Sequence, residues 1–287
     1  MSAWICCQRL RLVRLRDEAG RLRQTFRLGL IGVTLLLLPA GLRAQDARGL
    51  IQQAVQTELA ANDHDRSRWR YRDEEREKGT VSIVVETDAG SVKRLIERNG
   101  HPLSLEEAQA EEERVQQFVH DPSRLAKQRK DGASDDESAR QLLAMLPEAF
   151  AWKVTKVSEN EDTLAFSPRP DFRPGNMQAR VLSTMAGEVV LDRRQHRMKT
   201  LSGRLTQDVM IGYGLLGRLR EGGTFRVERR EIKPGLWQIV ETHVHIDGKA
   251  MMFKQIGQQQ DEILSDFTQV PGRATLEQAA VASKTLH

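Results

Sequence analysis

The chain has 287 residues, 39% of them hydrophobic and 29% charged, with a formal net charge of +4 and only two cysteines. This supplies a core for one large or two small domains and has the composition of a soluble rather than a membrane-embedded protein. The basic balance points superficially to nucleic acid, but its distribution along the chain excludes that reading.

Arg9, Arg11, Arg14, Arg16, Arg21, Arg23 and Arg27 precede an apolar run from Leu28 to Leu38, and Pro39 to Ala44 then supplies a breaker and a small residue. A basic segment, a short apolar segment and a small residue at the cut describe a secretory signal peptide over residues 1–44. The run is short for a membrane span, which takes about 20 residues. Removing residues 1–44 takes away eight Arg and two acids (Asp17 and Glu18), which brings +4 to −2. No nucleic-acid partner is expected of such a chain. Cys6 and Cys7 leave with the same segment, so the mature chain holds no disulfide, zinc thiolate or cysteine nucleophile. The periplasm of a bacterium is the expected compartment.

Leu50, Ile51, Val55 and Leu59 recur at helical spacing from Asp46 to Ala61, with Asp46 as a candidate cap. Three strands follow around Trp69–Arg72, Val81–Asp88 and Ser91–Gly100, punctuated by Gly79, Gly90 and Gly100. Ser104 and Glu107 form a capping-box pattern ahead of a charged helix to about Val119. The polar stretch from Leu125 to Ser138 reads as an exposed loop. Ala139, Leu142, Leu143 and Leu146 then make the apolar stripe of another helix, closed by Pro147. Trp152–Val157 and Thr163–Ser167 return to strands. Pro168, Pro170 and Pro174 exclude a central strand after them. From Gln178 to Asp208 the chain reads as a meander: an extended run, an alternating run ending in Asp192, a basic turn, and a third run from His196. Closing strands lie at Thr224–Lys233, Leu236–Ile246, Lys249–Gly257 and Asp261–Val270, joined by Pro234-Gly235 and Asp247-Gly248 turns. Residues 271–287 read as a tail, weakly helical or disordered.

The pattern predicts one α+β domain over residues 45–270. Its basis is a large curved antiparallel sheet, a half-barrel of about ten strands, with helices covering one side and a helical insertion at 103–149.

Few residues carry recognisable chemistry. Gly212, Gly214 and Gly217 spell G-x-G-x-x-G, but no βαβ unit follows and no dinucleotide cofactor is expected. Glu241, His243 and His245 alternate on one strand and so share a face, a spacing that metal ligands use. The competing reading has Val240, Val244 and Ile246 facing the core and the triplet facing water, and no metal is assigned. His64, His101, His120 and His196 lack evident partners and read as surface histidines. No serine has a nucleophile-elbow setting, so no catalytic residue is assigned and the chain is not read as an enzyme. The apolar pattern is more informative. Met210, Leu215 and Leu216 surround the glycines, and Met251, Met252 and Phe253 place apolar groups on both faces of one strand. Such lining suits an apolar ligand cavity.

The order of elements, and hairpins such as GEVVLDRRQHRMKTLSG, make Gln178 to Val270 resemble the periplasmic lipoprotein-carrier superfamily, which includes the outer-membrane lipoprotein-sorting proteins. The segments ERNGHPLSLEE, FSPRPDFRP and MAGEVVLD are similar to an uncharacterised family of exported bacterial proteins. The first resemblance implies a half-barrel sheet closed by a helical lid around an apolar cavity. It implies a non-catalytic carrier of a lipophilic ligand, a lipid or a lipoprotein acyl chain, with peripheral contact at the membrane. The charged insertion from Leu103 to Ala149 departs from the sorting carriers, and no carrier residue maps onto this chain. The alternatives are an envelope interaction module docking a protein partner through SPRPDFRP or the acidic helix, and a hydrolase whose site has no recognisable motif.

Overall fold

The computed structural model describes residues 40–211, 217–250 and 258–284. The expected signal peptide lies almost wholly outside them. Helix α1 (Ala40–His64) begins ahead of the cap expected at Asp46, so a cut after Ala44 falls within its first turns. Ala47, Ile51, Ala54 and Val55 are buried at the spacing of one helical face.

Strands β1 (Trp69–Glu75), β2 (Thr80–Thr87) and β3 (Gly90–Arg98) follow as expected, with the short edge strand β4 (His101–Pro102) beyond them. Gly79 and Gly100 hold left-handed φ values of 59° and 79° at the turns. Helix α2 (Leu105–Val119) starts at a complete capping box, in which Ser104 accepts from the Glu107 amide and Glu107 accepts from the Ser104 amide. Helix α3 (Pro122–Ala149) absorbs the stretch expected as a loop. Asp121 caps it by accepting from the amides of Ser123 and Arg124. Lys127 pairs with Asp131 one turn on, and Gln128 bonds to the backbone of Ser91. Together the cap, the ion pair and the tertiary bonds override the glycine and polar residues that suggested a break.

Strands β5 (Phe150–Val157) and β6 (Glu161–Pro168) lead to helix α4 (Met177–Leu182). The extended run expected from Gln178 is therefore helical at its start, because Asn176 accepts from the Ala179 amide as a cap. Strands β7 (Met185–Asp192), β8 (Arg197–Leu205), β9 (Val209–Ile211), β10 (Gly217–Leu219), β11 (Thr224–Lys233), β12 (Leu236–Ile246), β13 (Gly248–Ala250) and β14 (Gln258–Gln269) complete the β structure. Helix α5 (Leu276–Ala282) follows, within the segment expected as a tail, on a second capping box at Thr275 and Gln278.

Eleven strands form one antiparallel sheet in the order β4-β3-β2-β1-β14-β12-β11-β8-β7-β6-β5, open at both ends. Strands β13-β10-β9 form a separate small sheet. One row of cross-strand partners crosses nearly the whole large sheet: Leu164, Val189, Leu201, Val227, Thr242, Glu262, Glu75 and Thr80. Partners in a row share a face. At the β5–β8 end, this inner face packs against α1, α4 and the C-terminal half of α3, in a core that includes Ile51, Leu143, Leu164, Val189 and Val244. At the other end the cover lies on the opposite, outer face. There Ile83, Val85 and Val92 pack against Val115 and Val119 of α2 and Leu276 and Ala280 of α5. Along β2 the outer face carries Val81, Ile83 and Val85 while the row's face carries Thr80, Ser82 and Glu86 among its members, so the helices at this end cover the outer face. Helix α3 serves both cores, with Leu125 in the second and Leu143 and Leu146 in the first.

Candidate functional site

The small sheet lies where the apolar segments were singled out. Gly217 of β10 pairs with Ile211 of β9 on one side and with Ala250 of β13 on the other. The pairing brings the residues that flank 212–216 and 251–257 to one end of a single ladder. Of the predicted lining residues, Met210 is placed on β9 with its side chain exposed at 44%. Leu215, Leu216, Met251, Met252 and Phe253 lie outside the described residues. Sequence reasoning chose these segments by composition and could not see that two strand pairs would join their flanks.

The β12 triplet has the expected alternation. Thr242, Val244 and Ile246 are buried, while Glu241 and His243 are half-buried and His245 is exposed, all three on the outer face. His243 Nδ1 lies 2.9 Å from Asp261 Oδ1 on β14, and its Nε2 lies 3.5 Å from Glu241 Oε2. Both ring nitrogens are thus turned to carboxylates. Among the described residues no group of three or more His, Cys, Asp or Glu is arranged to hold a metal. His64 and His120 each turn Nδ1 to the carbonyl one turn back in their helices, at 2.7 and 2.8 Å.

Two charged clusters on the inner face were not anticipated. In the first, Glu58 continues the buried stripe of α1 and is fully buried. Arg197 donates to it through Nε (3.0 Å) and Nη2 (2.9 Å), the Met198 amide donates at 2.9 Å, and Arg229 Nη1 lies 2.6 Å away. Arg197 also stacks over Trp237, 5.7 Å from the ring centroid. Burial alone would raise the Glu58 carboxyl, but Arg229 and Arg197 hold it below its ordinary value. Two cations against one anion in the dry interior make this a structural clamp between α1, β8 and β11. Its signal in the sequence was a glutamate at a position where the helical stripe calls for an apolar side chain.

The second cluster sits on β1, where Trp69, Tyr71, Asp73 and Glu75 alternate onto the inner face. Tyr71 stacks on Phe267 of β14 with ring centroids 5.4 Å apart, and Trp69 meets the same ring edge-on at 6.1 Å. Lys93 of β3 bridges Asp73 Oδ2 at 2.6 Å and Glu75 Oε1 at 2.5 Å. Burial pushes the Asp73 carboxyl up from its ordinary value against the pull of Lys93. Burial would raise Glu75 too, but hydrogen bonds from Lys78 and Lys93 hold it at about 2. Asp73 is 5% exposed, and its Oδ1 is buried without a hydrogen-bond partner; the Thr242 hydroxyl is in the same condition at 0% exposure. A carboxylate run such as Asp73-Glu74-Glu75 reads in sequence as solvated charge. Only the pairing of β1 between two strands buries its alternate members.

Comparison with family models, curated proteins and solved structures finds no match for this chain.

Proposed function

We propose that this is an exported binding protein of the bacterial periplasm that carries a lipophilic ligand, and that it is not an enzyme. The observation carrying this reading is the β9–β10–β13 ladder, which joins the residues flanking the apolar segments 212–216 and 251–257 and leaves Met210 of β9 exposed. Met and Leu side chains adapt to irregular apolar shapes, and each buried CH2 of an acyl chain contributes about 0.8 kcal/mol. The basic-then-apolar leader supports export. The resemblance of the meander to the lipoprotein carriers supports an acyl chain as the ligand, delivered at the membrane surface without insertion. No helix among the described residues is long and apolar enough to cross a membrane.

The ligand's place differs from that of a cavity under a helical lid. The inner face at the β5–β8 end is occupied by side chains of α1, α3 and α4. The ligand site is accordingly assigned to the small sheet, with entry past Met210. Native mass spectrometry of protein purified from the periplasm tests this. A co-purifying lipid is expected, and Met210→Asp and Met252→Asp should each lower its occupancy. An empty monomer in every preparation would overturn the carrier reading. It would favour the second, an envelope interaction module, which draws on the same well-filled helical core.

A further inference from the structure

Strand β5 is one of the two margins of the large sheet, with β6 on one side and, among the described residues, no strand on the other. We infer that this margin docks an extended, acidic segment of a partner protein, which joins the eleven strands as one more. The docking strand and the small sheet are built from different elements, so neither reading requires the other.

The backbone specifies the shape of the occupant. The Arg169 amide donates to the Ala149 carbonyl at 3.2 Å, which makes Ala149 and Arg169 a hydrogen-bonded pair at the start of the β5–β6 ladder. Alternation along antiparallel strands then turns the N–H and C=O of Ala151 and Lys153 toward β6, and those of Trp152 and Val154 away from it. Among the described residues no other backbone group takes up Trp152 or Val154. Such a row is a template for a further strand. The opposite margin is closed to this use, because β4 has only His101 and Pro102, and proline has no amide to donate. β5 has eight residues and no proline.

Side chains specify the charge. Trp152 and Val154 pack into the inner core, whereas Lys153 is exposed on the outer face in register with Ala165. A bulge between Val154 and Lys156 sets exposed Lys156 opposite Thr163, which brings both lysines to one face. The acids at the start of β6, Glu161 and Asp162, are engaged by Lys199 and Arg193. The nearest acid in the row of Lys153 is Glu188, beyond Ala165. Among the described residues neither lysine of β5 has an ion-pair partner. A second copy of this chain is disfavoured, because β5 against β5 sets lysine on or beside lysine. The arginine-rich segment before Leu28 is repelled for the same reason. A partner strand with acids at alternate positions places them beside Lys153 and Lys156. Its other side chains then lie toward Val154 and toward Val157, which is 60% exposed.

Full-length protein is titrated by fluorescence anisotropy with labelled peptides of eight residues, the length of β5, in which Glu or Lys alternates with Val. The Glu peptide is expected to bind about tenfold tighter than the Lys peptide, the scale of two cross-strand charge pairs. Lys153→Glu and Lys156→Glu together should invert that order, and both positions are exposed, so the core is left intact. Ladder formation is read separately by N-methylating the Glu peptide. Methyl groups on the Val nitrogens, which face β5 in an antiparallel ladder, should abolish binding; on the Glu nitrogens they should leave it within about threefold. Equal effects of the two methyl patterns, or an order of affinities unchanged by the double reversal, overturn the proposal. So does a protein dimer that the Glu peptide dissociates, which would give the margin to a second copy.

Discussion

Glu58 shows how a single charge can hold three elements in place. Removing it strands Arg197 and Arg229 in the interior, where breaking a buried pair costs about 3–5 kcal/mol. Glu58→Ala should therefore lower the unfolding free energy by that amount in urea titration. Glu58→Gln, which keeps the acceptor but not the charge, should fall between the two. A Glu58→Ala unfolding free energy within about 1 kcal/mol of wild type, roughly the worth of a surface pair, would show that the clamp is dispensable. The Gly187–Gly203 pair is a second residue-scale constraint. It sits between Phe166 and Phe225 on four adjoining strands, and a methyl group on Gly187 would overlap the Ser202 carbonyl. Gly187→Ala should cost about 1–3 kcal/mol by overpacking, checked by thermal unfolding. The alternation of β12 was legible in the sequence because each residue declares its own face. The partners of Glu58 and Asp73 were not, because they come from strands more than a hundred residues away or from the far side of a hairpin.

At the scale of elements, the signals that sequence reading handled well were local ones. The capping box at Ser104, the stripe Ala139–Leu146 and the hairpin turns each contain their own geometry. The errors came where a cap and a tertiary bond outweighed composition, as in the helical stretch from Leu125 to Ser138 and the helical start at Met177. Helix α5 is the clearest case. Its seven residues make a marginal helix alone, yet Leu276, Ala279 and Ala280 are buried against β2 and β3. Arg94 donates to the Ala280 carbonyl and the Ser283 hydroxyl, and Arg70 donates to the Ala282 carbonyl. These cations sit where the helix dipole is negative. Ending the chain after Gly272 should uncover Ile83, Val85 and Val92 and leave the buried Arg94 with Glu112 but without its Ala280 and Ser283 acceptors. The truncated protein is expected to bind an apolar dye and to melt several degrees lower; an unchanged melt would show that α5 is merely appended.

For the molecule as a whole, acid is the revealing condition. Glu75 and Glu112 are both held at about 2, Glu75 by Lys78 and Lys93 against its burial and Glu112 by Lys284, Gln116 and Arg94. Their stabilisation is present above the ordinary carboxylate value and is lost as pH falls toward 2. Asp73 has the opposite sign: its raised pKa means that ionising it costs the fold, so its contribution is lost as pH rises through that raised value. A Glu75→Gln variant should show a flatter acid limb between pH 4.5 and 2 than wild type. Asp73→Asn should be no less stable at pH 7. Stability curves from pH 2 to 8 decide both, and a wild-type acid limb in Glu75→Gln would remove the ion pairs from the account. The α+β class and the open antiparallel sheet were readable from alternation and turns. The division of the helices between two faces was not, since it depends on the register of eight paired strands.

That division bears on how the protein comes apart. Helix α3 reaches from Leu125 to Leu143 over about 27 Å, seated at one end on each side of the sheet. It acts as a tie-rod, so neither half can loosen while the other stays shut. Amide protons of β2 and of β7 should exchange through the same concerted opening, at one common free energy. A Gly132→Pro break near the middle of the rod should split that single event into two, visible as separate exchange classes and a biphasic melt.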